Sequence, residues 1–235
     1  MPPKKRRASA TSQPDSEPQP KSSKEEQQQQ QQQAEDQPGT HTKLATYRVD
    51  HVYRLIEPGP VLLVTTGSLK DGTHNIMTIG FHMMIQHSGP ALIGACIGPW
   101  DASYGILKKN KECVLAIPSV EMAETVADIG NCSGEEVDKW SKFGLDALPA
   151  SKVKAPLVGN DTVIANVECV VEDTKLVGAY NLWVLRAVKA WSNPDVKKGR
   201  DGGKMFHHRG DGTFVVDGEK LDLRERMVKW QEFQD

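Results

Sequence analysis

Residues 60–86 read PVLLVTTGSLKDGTHNIMTIGFHMMIQ, and this stretch decides the fold. Its first part, residues 60–66, is a continuous apolar and β-branched run bounded by glycines, which is typical of a buried strand. Asp71-Gly72 is a strong turn signal, and residues 75–86 again favour a strand. The stretch therefore predicts an antiparallel β-hairpin.

Further β-type runs and capped helical segments follow along the chain. Apolar or alternating runs predict strands at residues 91–97, 113–117, 162–172, 180–191 and 213–216. Helices are predicted from Asp101 to about Asn110, from Ser119 to Ile129, through a Ser133/Glu136 capping box to Phe143, and over residues 221–232. Because strands come first and last with short helices between them, the sequence predicts a mainly β fold, an antiparallel barrel with peripheral helices.

The residues before position 47 cannot contribute to a hydrophobic core. They include seven consecutive glutamines at positions 27–33 and almost no large apolar side chain, a composition typical of disorder. We therefore predict a polar tail over residues 1–46 and one domain over residues 47–235. The basic run 4–7 is either a nuclear-import or nucleic-acid patch or a solvated charged end, and the acidic residues after it favour the second interpretation.

Charge and apolar content restrict the partners and the compartment. The chain carries 29 basic and 31 acidic side chains, a net charge of −2, which gives no overall attraction to nucleic acid or to an anionic membrane. No apolar run approaches the roughly 20 residues of a membrane span, and no apolar segment follows the basic N-terminus as in a secretory signal. Four widely spaced cysteines without a CxxC pair are typical of reduced thiols. These features predict a cytoplasmic protein.

Common catalytic and metal-binding signatures are absent from the sequence, which contains no GxGxxG, GxxxxGK[ST], GxSxG or HExxH motif. His82 and His87 have the odd spacing that sends side chains to opposite faces of a strand, and His207-His208 has no evident metal-binding companion. The basic, glycine-rich run 197–204 is interpreted as a surface loop, because it lacks the strand–helix context of a phosphate-binding loop. We predict no metal site and assign no catalytic residue.

Two segments and one lysine have the chemistry to hold a flat, anionic cofactor. Residues 75–78, Asn-Ile-Met-Thr, combine polar and apolar groups, as an isoalloxazine ring requires. Ser103 and Tyr104 lie at a predicted helix start, where free N–H groups and the helix dipole favour phosphate, and Lys139 could add positive charge. Each residue also has an ordinary interpretation, as a turn residue, a helix-start residue or a solvated charge. Composition and spacing leave both interpretations open.

A series of motifs in one order resembles the flavin-reductase-like, flavoredoxin family. The resemblance covers residues from about 58 to 216. It is carried by PVLLVTT at 60–66, NIMT at 75–78, the apolar strand from 91, CSGEEVDKW at 132–140, APL at 155–157, ANVEC at 165–169 and the segment 178–191. The sequence departs from the family pattern in having Phe81-His82 where members often carry a Trp-His-like pair, and Trp140 where Phe is usual. Both changes keep an aromatic group.

The resemblance implies an FMN-binding split barrel, usually a homodimer with flavin near the subunit interface. Carried over by position, Asn75, Ile76, Met77 and Thr78 would face the isoalloxazine ring and ribityl chain, while Ser103, Tyr104 and Lys139 would lie near the phosphate. The implied activity is that of an NAD(P)H-dependent oxidoreductase that passes hydride or electrons through FMN. Because a dinucleotide-binding fingerprint is missing, the nicotinamide would stack on the flavin.

Two other functions fit the same residues. One is a non-catalytic FMN-binding electron carrier that is reduced by a partner protein. The other is a protein whose fold serves to bind a partner, with the tail, residues 1–46, as the interacting part. Rapid bleaching of the flavin band by NAD(P)H would favour the enzyme, whereas a colourless protein that takes up no FMN would favour the partner-binding role.

Overall fold

Seven antiparallel strands form the main sheet of the computed structural model, which describes residue 48 and residues 59–87, 89–193, 196, 203–219 and 221–226. Their order across the sheet is β2-β1-β5-β8-β9-β4-β3. The strands are β1 Leu62–Thr66, β2 Asn75–Ile79, β3 His82–Gln86, β4 Leu92–Cys96, β5 Glu112–Pro118, β8 Val163–Asp173 and β9 Leu182–Ser192. Two short ribbons pair β6 Ala147–Leu148 with β7 Leu157–Val158, and β10 Phe206–His208 with β11 Phe214–Val216. The predicted tail, residues 1–46, lies outside the described residues.

The β1–β2 hairpin forms where the sequence predicts it. Its register runs from Leu62 opposite Ile79 to Thr66 opposite Asn75. Gly67 follows β1 with a φ of +90°, and a Cβ at that position would collide with the carbonyl oxygen of Thr73. The turn therefore requires glycine at this position.

The single strand predicted over residues 75–86 is wrong, because the chain breaks into β2 and β3 at Gly80. β2 pairs with β1 at one edge of the sheet, whereas β3 pairs with β4 at the opposite edge. Phe81 already belongs to the second edge, since its carbonyl accepts from the Cys96 amide at 3.0 Å. The sheet curls into a half-barrel, which allows a short connection to join its two edges. β-propensity is high on both sides of the break, so the sequence gives little sign of it.

Apolar side chains fill both faces of the strands nearest β2. One core takes residues from β1, β2, β4, β5, β8 and β9, including Val64, Leu115 and Trp183, and fills the inner side of the curled sheet. A second core includes Ile76 and Leu63 and lies on the outer side of the same strands, under helical segments. Every residue of β1 is buried in consequence.

The helices lie at the periphery, as predicted, but all three of their expected caps are wrong, and the Ser119 side chain makes no cap hydrogen bond. They are α1 Ala102–Asn110, α2 Ala123–Gly130, α3 Lys139–Lys142 and α4 Val177–Tyr180, with 3₁₀ turns at Val120–Met122 and Arg224–Arg226. Asp101 precedes α1, but its carboxylate accepts from the Gly98 amide at 2.9 Å and caps no helical N–H. The Ser133 capping box does not open a helix; Asp138 caps α3 instead. The predicted C-terminal helix is a 3₁₀ turn as far as residue 226, and its remainder lies outside the described residues. Within the described ranges, no helix has the length and apolar content to cross a bilayer.

Candidate functional site

An open pocket of about 770 Å³ lies beside the start of β2. One wall is the end of the β1–β2 turn, residues 72–75, and a second is the first turn of α1, at Ala102 and Ile106. Residues 134–141, which lead into and include most of α3, form the third wall. The volume lies within the range of about 300–1,000 Å³ that small-molecule sites occupy.

Asn75 is the predicted site residue that the sheet holds most firmly at this pocket. Its backbone closes the β1–β2 ladder opposite Thr66, and its side-chain Nδ2 donates to Ser103 Oγ at 3.0 Å. Thr66 Oγ1 also donates to Ser103 Oγ, at 3.2 Å. Gly134 packs so closely on the amide that a Cβ there would collide with Asn75 Oδ1. Asn75 therefore has a fixed orientation, and Ser103 lies fully enclosed behind it.

Lys139 is a buried ammonium group in the third wall. Only 4% of the residue is exposed, and its Nζ donates to the carbonyl of Ile129 at 2.8 Å. Burial lowers the pKa of this lysine, because removal from water disfavours the charged form, although Cys132 and Asp101 act in the opposite direction. An ammonium group has three N–H donors, and the Ile129 carbonyl occupies one of them. Lys139 therefore keeps donors for a ligand.

Asp138 fixes the start of α3 and thereby the position of Lys139. Its Oδ1 accepts from the amides of Trp140 at 3.1 Å and Ser141 at 3.3 Å, and its Oδ2 accepts from Ser141 Oγ at 2.5 Å. Hydrogen bonds from Ser141, side chain and backbone, are the main reason that the pKa of Asp138 is lowered. The carboxylate therefore acts within the cap, although the residue borders the pocket.

The other predicted site residues do not line this pocket. The side chain of Ile76 is fully enclosed in the outer core, and Met77 packs against the inner core. Thr78 Oγ1 donates to the carbonyl of Val126 on α2 at 2.6 Å. Tyr104 packs edge-on against Trp183, with 5.5 Å between ring centroids. The structure therefore brings Asn75 and Lys139 together with Ser103 behind them, and contact of the remaining four with a cofactor stays a prediction.

Sequence reasoning missed two aromatic residues of the site, His74 and Trp140. Their rings meet edge-on with centroids 5.3 Å apart, and both residues line the pocket. His74 Nδ1 and Trp140 Nε1 are buried without a hydrogen-bond partner. The residues are far apart in the chain, so no local pattern could have joined them. A histidine directly before the predicted Asn-Ile-Met-Thr segment was the one available signal.

Two histidines elsewhere in the described part of the chain have structural partners. His82 Nε2 lies 2.6 Å from the carbonyl of Pro60, and His207 Nε2 lies 2.9 Å from Asp217 Oδ1. Among the residues that the structure describes, no cluster of His, Cys, Asp or Glu has the arrangement of a metal site. All four cysteines are free thiols.

The fold and the motifs are those of flavin-reductase-like proteins. The family model for the flavin reductase like domain matches residues 53–213, and the chain belongs to this family. An uncharacterized protein of Pyrococcus abyssi is 32% identical over 132 residues, which cover 56% of this chain and 73% of the relative. YddH of Escherichia coli, also uncharacterized, is 25% identical over 178 residues, which cover 73% of this chain and 93% of the relative.

Solved structures of the same family share the fold at low identity. Flavoredoxin of Desulfovibrio vulgaris (Miyazaki F) has a TM-score of 0.61 at 20% identity, covering 79% of this chain and 96% of its own. Flavoredoxin from Methanosarcina acetivorans has a TM-score of 0.64 at 20% identity, covering 80% of this chain and 98% of its own. An FMN-binding domain of a flavin reductases-like enzyme from Shewanella baltica has a TM-score of 0.63 at 18% identity, covering 76% of this chain and 96% of its own. The predicted split β-barrel is confirmed.

Proposed function

We propose that the protein binds FMN in the pocket between β2, α1 and α3. The observation that carries this proposal is the joint placement of Asn75 and Lys139 in one pocket of a flavin-reductase-like fold. The two residues belong to separate segments that sequence reasoning had already selected. Solved relatives described as FMN-binding support the choice of ligand.

The residues present suit the parts of FMN. The Asn75 amide is an oriented polar group of the kind that the pyrimidine edge of an isoalloxazine requires, and its Nδ2 is held by Ser103. Lys139 offers an ammonium group for the phosphate. Ala102 and Ile106 add apolar surface for the ring. Gly134 allows backbone to approach closely where a side chain would not fit.

We further propose that the protein is an NAD(P)H-dependent oxidoreductase. Bound FMN would supply the hydride-accepting and electron-passing chemistry, so the protein needs no acid–base pair of its own. The task left to this chain is to bind and orient the flavin and to keep a neighbouring nicotinamide in place. Relatives of the same fold include a 2-nitrobenzoate 2-nitroreductase from Pseudomonas fluorescens, with a TM-score of 0.63, and support an enzymatic role.

The test is an absorption spectrum of the purified full-length chain, before and after anaerobic addition of NADH or NADPH. A flavin spectrum, or uptake of added FMN, is expected, followed by rapid bleaching with a nicotinamide. A colourless protein that takes up no FMN would contradict the binding proposal. Bound FMN that no nicotinamide bleaches would contradict only the reductase activity.

A non-catalytic electron carrier is the second candidate, and the similarity to two flavoredoxins favours it. In this case the flavin would be reduced by a redox partner protein. Bound FMN would then remain oxidised in NAD(P)H alone and be bleached when a reductase is added. The same titration therefore separates the two functions.

We also propose a homodimer that forms on the outer face of the sheet at β3. Met83 and Ile85 are 53% and 47% exposed, and together with Leu182 their side chains surround Gly94, so this apolar surface has no cover among the residues that the structure describes. β3 is an edge strand of the sheet. A second copy, the partner that the family resemblance implies, would bury this surface.

We place the protein in the cytoplasm, where its four free thiols would stay reduced.

A further inference from the structure

Two orphaned polar atoms belong to neighbouring residues that line the pocket. Within the described residues, three buried side-chain polar atoms have no hydrogen-bond partner: His74 Nδ1, Ser119 Oγ and Trp140 Nε1. Ser119 is not among the residues around the pocket, whereas His74 and Trp140 both line it and contact each other. Buried polar groups are nearly always satisfied in folded proteins, so a neighbouring pair of exceptions points to a missing partner.

The chemistry of the pair specifies what the partner must be. An indole N–H can only donate, so the group that satisfies Trp140 has to be an acceptor. The imidazole Nδ1 of His74 can donate to the same group in the appropriate tautomer. Lys139, directly before Trp140 in α3, adds an ammonium group in the same wall. Donors of these three residues, which all line the pocket, suit a ligand group that carries acceptors only.

None of the three carboxylates of the pocket bonds to either orphaned atom, although Asp138 lies close enough to His74 for the histidine to help lower the pKa of its carboxyl. Asp138 is engaged with Trp140 and Ser141 in the cap of α3. Glu135 and Glu136 are exposed, so their charges can stay in water. Neither orphaned atom is open to solvent in the ligand-free protein, so a side chain has to move before a ligand can reach them. His74 is only half-buried, so a rotation of its ring would present Nδ1 to the pocket and uncover Trp140 Nε1.

We propose that Trp140 and His74 complete the phosphate site of this pocket, with the indole Nε1–H and the imidazole Nδ1–H donating to the phosphate of FMN. This inference rests on the proposed FMN binding and adds two phosphate-binding residues to it. The pair makes the pocket selective for the phosphorylated flavin over riboflavin. It also gives the free protein an unsatisfied donor that ligand binding relieves.

The test compares Trp140→Phe with a matched indole elsewhere. Phenylalanine keeps an aromatic ring at position 140 and removes the N–H donor together with part of the indole ring. Trp183 is the control, because its buried Nε1 already donates to the carbonyl of Ile97 at 3.0 Å. FMN and riboflavin affinities are measured by flavin fluorescence titration, and the unfolding temperature is measured on the ligand-free proteins.

We expect Trp140→Phe to weaken FMN about tenfold, with riboflavin affinity kept within about twofold. Trp183→Phe should lower the unfolding temperature and leave both affinities unchanged. His74→Phe should also weaken FMN selectively. Unchanged FMN affinity in Trp140→Phe, or an equal loss for both flavins, would overturn the inference while FMN binding itself stands.

A second measurement uses the unaltered protein and avoids any folding defect. The indole N–H resonance of Trp140, assigned by its loss in Trp140→Phe or in a folded Trp140→Tyr variant, is followed by ¹⁵N-edited NMR during titration with FMN and with riboflavin. A large downfield shift with FMN alone supports a new hydrogen bond to phosphate. The same shift with both flavins, or none with FMN, contradicts it. A wild-type protein that binds neither flavin would instead refute the proposed function.

Discussion

The indole Nε1 of Trp191 donates a 2.7 Å hydrogen bond to Oε1 of Glu168, a carboxylate with no exposed surface. The same carboxylate accepts from the backbone amides of Ser151, Lys152 and Val153 and from the Ser151 hydroxyl. It thereby ties the loop after β6 to the long strands β8 and β9. Because all of its partners donate, they fit only the ionised form.

Replacing this carboxylate should destabilise the fold without touching the pocket. In Glu168→Gln the amide NH₂ would face backbone donors, leaving buried groups unpaired. We expect a loss of about 2–4 kcal/mol in the free energy of unfolding. Urea denaturation followed by far-UV circular dichroism would measure it, and an unchanged midpoint would show that the network contributes nothing.

The same network predicts a pH dependence with a definite sign. Burial alone would raise the pKa of Glu168, but hydrogen bonds from Trp191, Ser151 and Lys152 outweigh it and lower the pKa below its usual value. A group with a lowered folded pKa contributes stability that is present above the unfolded value, about 4.3, and is lost as the pH falls through the folded value. Wild-type protein should therefore lose stability below about pH 4 more steeply than Glu168→Gln. Parallel acid-dependence curves for the two proteins would contradict this expectation.

Removing the Lys139 charge should affect FMN more than riboflavin. Lys139→Met keeps the buried stem and deletes the ammonium group, so we expect about a tenfold to hundredfold loss of FMN affinity. Lys142 is an exposed lysine in the same helix and does not line the pocket, so Lys142→Met is the matched control. Fluorescence titration with both flavins provides the measurement. An equal loss for both would remove Lys139 from the phosphate site.

FMN affinity should also fall at high pH in a way that depends on Lys139. Burial lowers the pKa of this lysine, so its charge is lost at a lower pH than that of an exposed lysine, about 10.4. We expect FMN affinity to decline as the pH rises through the lowered value, with little change in Lys139→Met. A wild-type affinity with the same pH dependence as that of Lys139→Met would contradict this role.

Ser103 should influence binding only through Asn75. Its enclosed hydroxyl accepts from Asn75 Nδ2 and lies behind the amide, out of reach of a ligand in the pocket. Ser103→Ala should therefore weaken FMN and riboflavin equally, by a few-fold, and to a smaller extent than Asn75→Ala. A selective loss of FMN would instead place Ser103 in contact with phosphate, as the family resemblance implies.

The dimer proposal predicts that one face of β3 is sensitive to charge. Met83→Asp should give monomers at micromolar concentration, because the acidic group would be buried against a second copy. Met84 is 60% exposed, but alternation along the strand places it on the other face, so Met84→Asp is the control. Sedimentation velocity would distinguish the two. Wild-type protein that sediments as a monomer would refute the proposal.

The sequence by itself determined the local pieces of this protein. Residues 60–79 contain their own turn chemistry and apolar pattern, so the β1–β2 hairpin could be predicted without knowledge of the rest of the chain, whereas its register came from the structure. The extent of α1, which needs only a start signal and a run of helix formers, could be predicted in the same way. The order of motifs also identified the family before any contact was known.

Only the tertiary structure decided which of these pieces meet. The break at Gly80 sends β2 and β3 to opposite edges of the sheet because the sheet curls, and curling is a property of the whole sheet. The burial of Lys139 and the contact between His74 and Trp140 depend on α3 packing beside the β1–β2 turn. Propensity and periodicity act over a few residues, whereas burial and hydrogen-bond satisfaction are set by neighbours far apart in the chain, so the chemistry of the pocket appears only after folding.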